Sequence, residues 1–153
     1  MTLTLAFLIG FLSGLRSFTP AAVVAWAANL SWLNLTPPLA WMGSRPAVAI
    51  LTLLALGELV ADKLPKTPNR TGPMGLIARI ITGGLTGACL GMAGAGMTAA
   101  GAVLGAVGGV AGAFGGFTAR AGLVKALGSR DFPVAILEDL IAIGLSCFFV
   151  SRF

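Results

Sequence analysis

Two carboxylates one helical turn apart, Glu58 and Asp62, close an apolar run and open the stretch Glu58-Leu-Val-Ala-Asp-Lys-Leu-Pro-Lys-Thr-Pro-Asn-Arg-Thr71. A second pair, Glu138 and Asp139, lies inside another apolar run, and Arg16 and Arg120 are embedded in two more. In apolar surroundings such groups bind ions, hold protons or pair with each other, because an unmatched charge there is expensive. Other chemistries are poorly supplied. The chain has no His and no Tyr, which removes His-based zinc sites and His general bases. A Ser, Thr or Cys nucleophile would have to use Lys or a carboxylate as its base. Glu138 and Asp139 are neighbours in sequence, so on a helix they diverge by about 100° and share a substrate poorly. The glycine-rich runs lie within apolar helices rather than after a strand, so they are not nucleotide loops. No catalytic residue, metal or cofactor is expected. Cys89 and Cys147 fall in apolar segments and are read as membrane-buried thiols.

These groups stand out because of their background. Hydrophobic residues make up 57% of the 153 positions and charged residues 10%, with a mean hydropathy of +0.96. A soluble domain carries roughly 25% charged residues. The expected solvent is therefore a lipid bilayer and the expected class an all-α integral membrane protein, one transmembrane domain over 1–153. The net charge of +5 comes from cations scattered between apolar spans, a topology signal rather than a nucleic-acid footprint.

About 20 residues are needed to cross the hydrocarbon. Five segments qualify: 3–28, 46–64, 74–95, 99–126 and 132–151. The N-terminal one lacks a basic leader and is interrupted by Arg16, so it reads as a span and not as a signal peptide. Residues 29–45 carry Trp32, Pro37, Pro38 and Trp41 and read as an interfacial loop. From Gly75 to Leu127 only the small-residue patch at 94–101 offers a break, which places a helical hairpin there. An intracellular N-terminus would put Lys63, Lys66, Arg70, Arg79, Lys125 and Arg130 inside, and Arg45 and Arg152 outside. This predicts a cytoplasmic N-terminus and an external C-terminus in a bacterial inner membrane.

Gly43-Ser-Arg-Pro-Ala-Val-Ala-Ile-Leu51 resembles Gly128-Ser-Arg-Asp-Phe-Pro-Val-Ala-Ile-Leu137 with a one-residue gap. Spans one and two would then correspond to four and five as an inverted repeat, an arrangement met in secondary transporters. Gly83, Gly87 and Gly91, and Gly101, Gly105 and Gly109, recur at spacing four. In lipid that spacing lets helix backbones approach closely, within the chain or across a homodimer.

By depth, Arg16 and Glu58 lie near mid-membrane, Glu138 and Asp139 enter from the cytoplasmic side, and Arg120 is close to that side. The natural ion pairs are Arg16 with Glu58, and Arg120 with Glu138 or Asp139. Pro20, just after Arg16-Ser17-Phe18-Thr19, should kink or break the first helix near Arg16. The freed backbone beside Ser13, Arg16, Ser17 and Thr19 makes a polar notch, as broken helices do at substrate sites. The candidate solute or ion site is therefore Arg16, Ser17, Thr19, Pro20, Glu58, Asp62, Arg120, Glu138 and Asp139. Lys63, Lys66 and Arg70 form an interfacial loop beside it.

Gly14-Leu-Arg-Ser-Phe-Thr-Pro20, the Glu58–Thr71 stretch and Leu137-Glu-Asp-Leu-Ile-Ala142 resemble the bacterial DUF4126 family of small membrane proteins, over essentially the whole chain. The resemblance implies the membrane class and marks Arg16, Ser17, Pro20, Glu58, Asp62, Lys63, Arg70, Glu138 and Asp139 as the family's core. It implies no substrate. The expected function is a small inner-membrane transporter or channel, dimeric, for a small solute whose anionic group Arg16 would bind. A carboxylate would carry a coupling proton or cation. The alternative is a non-transporting scaffold or accessory subunit, with a lipid-modifying enzyme as a third reading.

Overall fold

A computed structural model describes residues 1–61, 72–127 and 131–153. Among them every regular element is helical: α1 Thr2–Leu15, α2 Thr19–Asn29, α3 Arg45–Ala61, α4 Pro73–Ala95, α5 Thr98–Leu127 and α6 Asp131–Val150, with a 3₁₀ turn at Ala40–Gly43. Among the described residues three segments are long and apolar enough to cross a membrane: Pro73–Ala95, Thr98–Lys125 and Pro133–Val150. They match the spans expected at 74–95, 99–126 and 132–151. The turn between the first two falls in the small-residue patch. There Gly96 takes a left-handed conformation at φ 63°, and the amides of Gly96 and Met97 donate back to the carbonyls of Met92 and Gly91. A glycine carries no steric penalty for that backbone.

The expected first span is the main correction. Residues 3–28 are two helices of 14 and 11 residues with Arg16, Ser17 and Phe18 between them. The cause is Pro20, which has no N–H to give the Arg16 carbonyl one turn earlier. Arg16 takes an extended conformation at φ −135°, ψ 113°, and α2 starts afresh with the proline in its first turn. At about 1.5 Å per residue α1 is about 21 Å long, short of the roughly 30 Å of a bilayer core.

The chain also reverses at this break. Thr2 lies beside Gly94 at the end of α4, and Phe153 packs on the same glycine. Gly14, near the other end of α1, faces Gly109 and Gly112 of α5. After the break α2 heads back: Val23, Trp26 and Leu30 border a cavity with Cys147 and Val150 of α6. Beyond α2, Ser31 and Asn34 lie beside Ser151 and Phe153, and the Thr36 hydroxyl donates to Met92 Sδ. α1 and α2 therefore form a re-entrant hairpin whose tip is Arg16–Phe18. Its open end is shared with both chain termini. An odd number of crossings would have separated the termini, so the expectation of an inside N-terminus and an outside C-terminus does not fit this arrangement. Nor do α1 and α5 oppose each other as an inverted repeat requires: Gly10 meets Gly105 and Gly14 meets Gly109, so the two run parallel.

Glycine makes the packing of α1, α4 and α5 possible. A methyl group on Gly105 would run into the Gly83 carbonyl and the Gly87 backbone, and one on Gly10 into the backbone of Gly105. Backbone cannot move aside as a side chain can, and the close approach supplies the dispersion contact that holds helices together in lipid. Beside this seam, Ile9, Leu12, Val24, Met42, Leu90 and Val150 pack into an apolar core.

Gly105→Ala should therefore destabilise the protein by about 1–3 kcal/mol through overpacking. Gly144→Ala, where nothing lies within 4 Å, should be neutral or gain up to about 1 kcal/mol of helix propensity. Reversible unfolding of the two variants in mixed micelles checks the contrast.

Candidate functional site

Breaking a helix in an apolar interior leaves carbonyls on one side of the gap and amides on the other without partners. Here each cut end receives a charged side chain of the appropriate sign. The Glu58 carboxylate accepts from the Ser17 amide through Oε1 at 2.7 Å and from the Phe18 amide through Oε2 at 2.9 Å. An anion thus stands at the N-terminus of α2, where the helix dipole favours it. At the other end, Arg79 Nε donates to the Gly14 carbonyl in the last turn of α1 at 2.9 Å, while its Nη1 returns to Gly75 of its own helix.

Arg16 lies in the gap itself and is completely buried, with its Nη2 paired to Asp139 Oδ1. Among the described residues the acid on Arg16 is Asp139, whereas Glu58, its expected partner, is engaged by backbone amides. The expected pairing of Arg120 is met by Glu138, at 3.4 Å. The two adjacent acids of α6 serve different partners, in keeping with their divergence around the helix. Four helices deliver these groups to one level. Measured from the open end of the hairpin, Arg16, Glu58, Arg79 and Asp139 lie about 16–24 Å along their helices at about 1.5 Å per residue. Among the described residues, Arg16, Arg79 and Arg120 are matched in number by Glu58, Glu138 and Asp139, as buried charges in low dielectric require.

The hydroxyls continue the polar line. Ser13 and Thr86 meet at 3.3 Å between α1 and α4, each also bonded to carbonyls of its own helix. Thr19, in the first turn of α2, and Ser146, on the same buried face of α6 as Asp139, are 4% and 0% exposed. Their hydroxyl oxygens have no hydrogen-bond partner among the described residues. Between α5 and α6 a cavity of about 130 Å³ is bordered by Leu15, Gly116, Leu137 and the Arg120–Glu138 pair.

Of the residues expected from sequence, the structure gathers Arg16, Ser17, Thr19, Pro20, Glu58 and Asp139 at the hairpin tip, with Arg120 and Glu138 as a neighbouring pair. Asp62, Lys63, Lys66 and Arg70 lie outside the described residues. Sequence reasoning read Arg79 only as a topology charge. Its signal was present, as the one charged residue within 74–95, but its acceptor is a carbonyl that exists only because α1 ends where it does. Ser146 was missed because a lone serine in an apolar helix has no distinguishing pattern.

Membrane-length helices around a buried cluster of charges define a multi-helix membrane protein. The chain belongs to the DUF4126 family, described as a domain of unknown function, whose model matches residues 3–151. No curated protein and no solved structure matches it.

Replacing Arg16 by Met should cost about 3–5 kcal/mol by leaving Asp139 buried opposite an apolar group. Arg16→Met with Asp139→Leu should recover much of that loss, and a double-mutant cycle on unfolding free energies reads the coupling directly.

Proposed function

We propose that the protein is a small transporter or channel of the bacterial inner membrane, whose solute site is the tip of the α1–α2 hairpin. The observation that carries this reading is the interrupted helix: the Ser17 and Phe18 amides ahead of α2, a buried arginine and two carboxylates meet at one level inside the bundle. Helix ends turned toward the membrane interior recognise charged solutes by dipole and backbone donors. In this reading Arg16 and the α2 amides attract an anionic solute, and Glu58 or Asp139 carries the coupling proton or cation. A homodimer belongs to the same reading, since so small a bundle encloses a continuous path more readily with a second copy.

The scaffold reading is favoured by one observation: Glu58 and Asp139 are both held by protein partners, so the cluster can serve structure alone. Flux separates the two. Proteoliposomes with a pH-reporting dye inside should acidify when an inward anion gradient is imposed across wild-type protein. Glu58→Gln should abolish this proton-linked flux while retaining its circular dichroism and elution volume. Unfolding of Glu58→Gln, with no flux through the wild type, would instead establish the scaffold.

A further inference from the structure

Arg16 is fully buried, so a solute bound there needs a way in. Most sides of the tip are closed among the described residues. α1, α4 and α5 meet at backbone distance along their glycines, and the apolar core joins α1, α2, α4 and α6. α5 and α6 are the exception: they touch only lightly, and the cavity of about 130 Å³ lies between them. It runs about 10 Å along both helices, from Gly116 and Ile141 to Leu123 and Val134, at about 1.5 Å per residue. α5 leads away from the Gly96 turn and α6 returns toward the C-terminus, so the cavity extends from the level of the tip away from both termini. Leu15, the residue before Arg16, lines its inner end, and Glu138, the residue before Asp139, lines its wall. Gly116 leaves room for both. A Cβ there would run into Leu15 Cδ2 and stand 3.6 Å from Glu138 Oε1.

We propose that the α5–α6 cavity is the entry path by which a small anion reaches Arg16, with Arg120 as its first cationic contact and Leu15 as the apolar gate. Two arginines then lie along one path, each held by one of two adjacent acids. The outer pair is the looser and more accessible: Arg120 and Glu138 stand 3.4 Å apart with side chains 16% and 10% exposed, whereas Arg16 is 0% exposed. Charge-assisted hydrogen bonds are normally about 2.7–2.9 Å. Between the pairs the walls are aliphatic. A cavity so lined stays dry at rest, and hydrophobic constrictions close channels in this way. Glu138 and Asp139 share one helix, so a shift of α6 loosens both pairs together and opens the mouth as it frees the inner arginine. The path rests on the transporter reading for its use, but its access to water can be measured without flux.

The experiment is cysteine accessibility in the full-length protein with Cys89→Ala and Cys147→Ala. Leu15→Cys, in oriented membranes, is treated with two membrane-impermeant thiosulfonate reagents, one carrying a sulfonate and the other a quaternary ammonium. It should react from the face at which Lys125→Cys reacts and from that face alone. Leu12→Cys, at a core position 2% exposed, should stay unmodified. Ala119→Phe, which puts a ring into the cavity wall, should abolish labelling of Leu15→Cys. Charge selection is read as the ratio of the two reagents. Glu138→Gln should raise the anion-to-cation ratio about ten-fold by leaving Arg120 unmatched, and Arg120→Gln should lower it by a similar factor. If Leu15→Cys does not fold, Ile141→Cys at the same end of the cavity takes its place. An unreactive thiol at both positions overturns the path, as does labelling that Ala119→Phe leaves unchanged. A ratio indifferent to Arg120→Gln and Glu138→Gln overturns the role of that pair. Labelling blocked by Ala119→Phe without proteoliposome flux would keep the water-accessible path and remove the transporter reading. Flux undiminished by Ala119→Phe would do the reverse.

Discussion

The structure depends on how a membrane-buried helix break is made tolerable. In water the cut ends of α1 and α2 would be solvated; in an apolar interior they must be satisfied by protein. Glu58 takes two amides of the N-terminal stump of α2 and Arg79 takes a carbonyl of the C-terminal stump of α1. Each charge has the sign that the local helix dipole favours. The break lets the chain reverse within the bundle, brings both termini to one end, and carries Arg16 into the gap where Asp139 meets it.

The glycine seam and the charge cluster are linked by that geometry. Arg79 reaches the Gly14 carbonyl because α1, α4 and α5 approach at backbone distance, with Gly10, Gly14, Gly83, Gly105 and Gly109 along their contacts. Larger residues there would push α4 away and withdraw the arginine from the helix end it caps. α5 and α6, by contrast, leave a cavity beside Arg120 and Glu138. Tight packing on one side of the tip and looser packing on the other place the cluster at the border between the glycine seam and that cavity.

Much of this was legible in the sequence, and the omissions have physical reasons. Composition gave the membrane class, and glycine spacing gave close helix approach. Arg16 followed by Pro20 gave the break, because proline acts on the residue one turn before it. The direction of the chain after the break was not legible: a kinked crossing and a reversal share the same local residues, and only contacts such as Thr36 with Met92 distinguish them. The partner of Glu58 was hidden for a similar reason. Charge matching suggests Arg16, but backbone amides compete equally well for a carboxylate once the helix is interrupted, and amides carry no sequence signature. Arg79 was hidden by the converse, since its acceptor is main chain.

The re-entrant hairpin is the element on which the site and its caps rest, and its most direct test is topological. Single cysteines at Thr4, Lys125 and Ser151, in a background with Cys89→Ala and Cys147→Ala, can be reacted with a membrane-impermeant maleimide in oriented membranes. The re-entrant arrangement predicts that Thr4→Cys and Ser151→Cys label from the same face and Lys125→Cys from the other. Labelling of Thr4→Cys and Ser151→Cys from opposite faces would mean that the first 29 residues cross the membrane, and would contradict the account.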